Sequence, residues 1–90
     1  MTETHDARLK RMKMRSWRRG TKEMDLILGP YADATLAQMG AERLDLYDRL
    51  LEENDQDLYP WVSGTQPCPG EYLELLTEIA AFARARHGTA

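Results

Sequence analysis

Cysteine and phenylalanine each occur once in this 90-residue chain, as Cys68 and Phe82. A lone thiol excludes an internal disulfide and suits a reducing compartment. Cys68 lies between Pro67 and Pro69 with no histidine or basic residue nearby in sequence, so it reads as a loop residue and not as a nucleophile. Long apolar runs are also missing. The longest are residues 26–28 and 79–83, far short of the roughly 20 residues a bilayer requires. The first twenty residues are basic but have neither the apolar centre nor the small-residue cleavage site of a secretory signal, and they are expected to remain in the mature protein. Glu3 and Asp6 argue against an organellar presequence, which favours the bacterial cytoplasm over the mitochondrial matrix. Alternating β-branched and aromatic residues are absent, so no strand is predicted. No GxxxxGK[ST] loop, GxGxxG fingerprint or GxSxG elbow occurs. His5 and His87 stand at opposite ends without metal-ligand spacing, so no catalytic, cofactor-binding or metal-binding residue is assigned.

What the chain does contain is charge, unevenly placed. The composition is 42% hydrophobic and 30% charged, that of a folded globular protein. The net charge of −3 hides two opposed segments. Residues 1–22 carry eight basic residues against two acids, and residues 23–78 carry thirteen acids against Arg43 and Arg49. This distribution predicts a cationic end on an anionic body. Asp45, Asp48, Glu52 and Glu53 read as a solvated acidic face. At this length one domain over residues 1–90 is expected, with residues 1–6 and 87–90 as mobile ends. A domain so small hides only about 60–65% of its unfolded surface, which places function on the outside.

Helical spacing recurs along the chain. A first helix over 6–18 sets Leu9, Met12 and Trp17 on one broad side. A second begins at Gly20 or Thr21, with Met24, Ile27, Leu28 and Tyr31 at i, i+3, i+4 and i+7, and Gly29-Pro30 is expected to kink or break it. Leu44, Tyr47, Leu50 and Leu51 mark a third helix reaching about Glu53. In the fourth, Leu58, Trp61 and Val62 form an apolar stripe, with Asp57 as N-cap, Pro60 in the first turn and Gly64 as the stop. After the loop SGTQPCPG, a last helix from Glu71 to about Arg86 aligns Tyr72, Leu75, Leu76, Ile79, Phe82 and Ala83, with Gly88 as its end. The fold class is therefore all-α, a single compact bundle of about five short helices.

The distinctive segment is RRGTKEMDLIL, residues 18–28. Gly20 as N-cap with Glu23 at the third helical position would form a local capping arrangement. Capping leaves unexplained why the preceding turn gathers Trp17, Arg18 and Arg19, residue types enriched at protein interfaces. Arginine grips carboxylates through paired hydrogen bonds, so this corner suits an acidic partner surface. Arg15, Trp17, Arg18, Arg19, Gly20, Lys22 and Glu23 form the candidate partner-binding set.

The block RGTKE, residues 19–23, resembles the RGxxE signature of the succinate dehydrogenase FAD assembly factors, the SdhE family, called succinate dehydrogenase assembly factor 2 in mitochondria. RSWRRG, KEMDLILGPYAD and LDLYDRLLEENDQDLYPWVSG follow in the family's order over about residues 9–64. The resemblance implies a five-helix bundle that binds the flavoprotein subunit of succinate dehydrogenase or fumarate reductase. It implies help in bonding a histidine of that subunit to the 8α-methyl carbon of FAD, through positioning and without a catalytic group of its own. The FAD is expected to be held by the partner, and the free chain to be a monomer without membrane insertion. On the family pattern Arg19, Gly20 and Glu23 belong to the contact surface, with Gly20 admitting close backbone approach. DLYPWVSG resembles a second block, in which Leu58 and Trp61 are assigned to the core. The competing reading is a nucleic-acid-binding or toxin-neutralising regulatory module. It would use Arg8, Lys10, Arg11, Lys13 and Arg15 against phosphates, with Trp17 stacking on a base.

Overall fold

The computed structural model describes residues 3–88, and within them five α-helices and two 3-10 turns account for the secondary structure. Helix α1 spans His5–Trp17, α2 Lys22–Thr35, α3 Ala41–Leu50, α4 Asp55–Ser63 and α5 Leu73–Gly88. The 3-10 turns, Leu36–Gln38 and Gly70–Tyr72, follow α2 and precede α5. The all-α expectation holds. His5 and Asp6, expected in a loose end, instead open α1, because the Thr4 hydroxyl accepts the Ala7 N–H at 3.1 Å and caps the helix. The reading of residues 1, 2, 89 and 90 as mobile lies outside the described residues.

The apolar stripes converge as their spacing requires. Met24, Leu28 and Tyr31 of α2, Leu44, Tyr47 and Leu50 of α3, Leu58 of α4, and Leu75, Leu76 and Ile79 of α5 form one buried core with Met12 of α1. Leu58 is fully buried, and Trp61 packs half-buried on the core with its ring centroid 6.2 Å from that of Tyr72. Tyr31 lies at the centre, 5.8 Å from Tyr47 and edge-on to Phe82 at 5.6 Å. Its hydroxyl donates to Glu78, which Arg43 of α3 also holds at 2.7 Å, so α2, α3 and α5 meet at one carboxylate. One core contact is polar. Ser16 is fully buried, donates to the Met12 carbonyl at 2.8 Å and meets the Tyr47 hydroxyl at 2.6 Å. With the single serine proton committed to Met12, Tyr47 is the donor of the second bond. Burial raises the Tyr47 pKa to about 12.

At the two helix prolines the structure departs from the expected break and from the expected cap. Helix α2 runs unbroken through Pro30, because the Gly29-Pro30 pair serves packing and not termination. A Cβ on Gly29 would lie 2.3 Å from Cδ2 of Trp17, so the absent side chain makes room for the indole to lie on α2. Pro30 is itself buried there, and burial offsets the roughly 3 kcal/mol cost of proline inside a helix. In α4 the N-cap position is Asn54 and not Asp57, which puts Pro60 in the helix interior. Gly64 closes α4 as expected, with φ +84° and its N–H bonded to the Pro60 carbonyl at 3.0 Å.

Candidate functional site

The basic residues of α1 are largely committed within the fold. Arg8 bonds Asp45 at 2.7 Å, Arg11 bonds Asp48 through two nitrogens at 2.8 and 2.9 Å, Arg15 pairs with Glu52, and Arg19 bonds Asp55 at 2.9 Å. Residues 8, 11, 15 and 19 thus meet 45, 48, 52 and 55 in order, so α1 and α3 lie side by side and run in the same direction. Helical spacing on both segments makes the ladder possible. The Arg11 hydrogen bonds draw the Asp48 carboxyl below its usual range, with Arg8 adding to the effect. Arg8 and Arg11 are correspondingly held more firmly protonated, chiefly by their hydrogen bonds to Asp45 and Asp48. Glu3 is lowered by its hydrogen bond to Arg11. The expected cationic end is therefore corrected: much of its charge is neutralised by acids that read as a solvated face. Glu53 is also engaged, accepting from the Tyr72 hydroxyl at 3.1 Å. Of the five cations that the nucleic-acid reading needed, Arg8, Arg11 and Arg15 are occupied by carboxylates.

The turn between α1 and α2 is built around Arg19. Its side chain is only 8% exposed, beside Asp55 at 14%. One terminal nitrogen donates to the Leu51 carbonyl at 2.7 Å and the other to the Glu53 carbonyl at 2.6 Å, while its backbone N–H donates to Asp25 at 2.6 Å. Arg15 adds a bond to the Leu51 carbonyl at 3.0 Å. Two guanidinium groups thus satisfy the carbonyls left open where α3 ends, at the negative end of that helix. Arg19 ties the α1–α2 turn to the α3–α4 turn and faces inward, so its guanidinium is not presented as the free grip expected from the sequence.

The rest of the motif faces out. Arg18, Gly20, Thr21, Lys22 and Glu23 are exposed. Gly20 has φ +107°, a conformation natural only to glycine. Space around it is open, since an added Cβ would find only Asp55 Oδ2, at 4.0 Å. The capping arrangement expected of Gly20 and Glu23 does not form. Thr21 is the N-cap, its hydroxyl accepting the Met24 N–H at 3.3 Å, and Glu23 sits at the second helical position with its carboxylate unengaged by the described residues. Trp17 is 39% exposed, laid over Gly29 with its indole N–H donating to Asp33 at 3.2 Å. The structure therefore leaves Trp17, Arg18, Gly20, Lys22 and Glu23 exposed at one corner and sets Arg15 and Arg19 beneath it as supports. Asp25 and Asp55, which position that support, were not singled out in the sequence, where nothing marks two aspartates among fifteen acids.

No group of three or more His, Cys, Asp and Glu residues is arranged to hold a metal among the described residues. No helix among them is long and apolar enough to cross a membrane. A family model described as the flavinator of succinate dehydrogenase matches residues 10–83. Succinate dehydrogenase assembly factor 2, mitochondrial, of Schizosaccharomyces pombe is 34% identical over 93% of this chain and 62% of its own length. The Aspergillus terreus protein of the same name is 48% identical over 68% of this chain and 20% of its own. The FAD assembly factor SdhE of Acetobacter pasteurianus is 35% identical over 91% of this chain and 76% of its own. The chain thus spans between a fifth and three fifths of the length of these two fungal relatives and three quarters of the bacterial one. With a matched region that takes in all but the first turns of α1 and the last turn of α5, this chain belongs to the Sdh5 family, the flavinators of succinate dehydrogenase.

Proposed function

We propose that this chain binds the flavoprotein subunit of succinate dehydrogenase, or of fumarate reductase, and promotes covalent attachment of FAD to a histidine of that subunit. The observation that carries the reading is the corner itself: Gly20, Lys22 and Glu23 project from a turn that Arg19 fixes through four hydrogen bonds. A surface so held loses little freedom on docking, which lowers the entropic cost of association. Gly20 lets a partner backbone approach closely, and the nearby Lys22 and Glu23 offer charges of opposite sign. The chain contributes no catalytic group. It holds the immature flavoprotein with histidine and flavin in line, and the bond-forming chemistry belongs to the FAD that the partner holds. The bacterial cytoplasm is the setting proposed, a choice supported by the bacterial relative.

Co-expression of the flavoprotein subunit with and without this chain tests the proposal, with covalent FAD read as fluorescence of the denatured band in a gel. The band is expected to brighten severalfold with the wild-type chain and to stay at background with Gly20→Arg. That variant should keep its helical circular dichroism, because the space at Gly20 is open, although a side chain at φ +107° costs about 1–3 kcal/mol. Equal fluorescence with and without the wild-type chain would remove the proposal.

A further inference from the structure

Beside the corner, a groove of about 470 Å³ runs between α2, α4 and α5. Leu26, Ile27, Val62 and Ala83 supply apolar lining, and Tyr59 stands at its edge. Leu26 and Tyr59 are 44% and 46% exposed, an unusual placement for two large apolar side chains that border the same depression. The rims carry charge. Glu23 of α2 and Arg84 of α5 both line the groove, and neither has a partner among the described residues. Glu23 ends the exposed motif and begins the groove, since Leu26 and Ile27 follow it at i+3 and i+4 on the same face of α2. The corner and the groove are therefore one continuous surface.

Resting on the reading proposed above, we infer that the groove is the second half of the docking surface and receives a short apolar segment of the flavoprotein. The segment carries a lysine or arginine to meet Glu23 and an aspartate or glutamate to meet Arg84. Charge decides this choice of occupant. An anionic dinucleotide would be met by one arginine and repelled by Glu23, whereas a peptide that carries both signs satisfies both side chains. The volume accommodates a few apolar side chains, and burying them against Leu26 and Tyr59 removes the exposed apolar surface that the free chain leaves in water.

The test uses the full chain and the purified apo-flavoprotein subunit, with affinity measured by biolayer interferometry and melting by circular dichroism. Leu26→Asp and Ala83→Glu each place a charge in the groove at a position that is not fully buried, and each should weaken binding at least tenfold while melting within a few degrees of wild type. Tyr59→Ala, at an exposed position, serves as a second probe that adds no charge and should weaken binding severalfold. If Gly20→Arg abolishes binding while the three groove variants bind as wild type, the groove assignment falls and the proposed function stands. Absence of binding by the wild-type chain removes both. Concentration-dependent dimerisation of the wild type that Leu26→Asp abolishes, with flavoprotein affinity unchanged, would assign the groove to a second copy instead and overturn the inference. Protection of the groove by free FAD, read as competition with the flavoprotein, would overturn it equally.

Discussion

Replacing Arg19 by alanine takes a guanidinium from three partners at once: it leaves Asp55 without its cation and the Leu51 carbonyl with Arg15 alone, opens the Glu53 carbonyl, and leaves the turn held by the backbone bond to Asp25 alone. Both members of the Arg19–Asp55 pair are largely removed from water. Truncating one partner of such a pair costs about 3–5 kcal/mol, because the remaining charge is left uncompensated. A domain of this size has a total stability of about 5–13 kcal/mol, so the loss is a large fraction of the whole. At about 4–8 °C per kcal/mol, the melting temperature should fall by roughly 12–40 °C, measured by circular dichroism at 222 nm. Arg19→Lys keeps a charge for Asp55 but a single ammonium cannot span both carbonyls, and about half of the loss is expected to remain. Asp55→Asn should be similarly destabilising, and the double variant less destabilised than the sum of the two. An Arg19→Ala protein that melts within about 3 °C of wild type yet fails to bind the flavoprotein would refute the reasoning. It would mean that the side chain works outward, on the partner, and not inward on the fold.

Three further perturbations follow from the same geometry. Gly29→Ala drives a methyl group into the Trp17 indole and should cost about 1–3 kcal/mol, with Trp17 fluorescence shifting to the red as the ring is displaced; an unshifted spectrum at full stability would contradict the packing. Because Asp48 is drawn below its usual range in the folded chain, its contribution to stability is complete above the ordinary carboxylate value near about 4 and is lost as pH falls through the lowered one. Urea midpoints measured from pH 7 to pH 2 should therefore decline less steeply in Asp48→Asn than in wild type. At the other extreme, the buried Tyr47 keeps its proton up to about pH 12, whereas an unfolded tyrosine loses it near about 10, so stability should fall as pH rises between those values. Tyr47→Phe should flatten that decline, and an unchanged alkaline profile would count against burial as its cause.

The sequence announced the helices wherever an apolar residue recurred at helical spacing with little else competing for its role. Of the residues predicted to face inward, Met24, Leu28 and Tyr31 of α2, Tyr72 just before α5, and Leu75, Leu76 and Ile79 of α5 are buried, whereas Ile27, Phe82 and Ala83 are partly buried. Legibility ended where a residue's role depends on a neighbour distant in sequence. Gly29-Pro30 carries the local mark of a breaker, and only the arrival of Trp17 twelve positions away turns it into a packing surface. Nothing local marks Ser16 as buried, and its place in the core depends on Tyr47, whose hydroxyl it meets. The same limit governed the site. Gly20 and Glu23 were placed correctly on the surface, but the direction of Arg19 is set by Asp55 and two backbone carbonyls, and backbone carbonyls leave no trace in a sequence. The ladder itself was visible in principle, since four arginines and four acids repeat with nearly matching intervals, but blocks of charge summed by segment conceal register.

That ladder constrains more than the two helices it joins. Two rods lying side by side and pointing the same way can be linked only by a return leg of comparable length, and α2 is that leg: its 14 residues extend roughly 21 Å, against roughly 20 Å for the 13 of α1. Adding or removing one residue within α2 would rotate everything downstream by about 100° and carry the acids of the ladder away from their arginines together. Length changes should instead be tolerated in the stretch between α4 and α5, where no rung depends on the count. A lineage of such chains would be expected to vary freely in that stretch while holding the span from Arg8 to Asp55 at constant length.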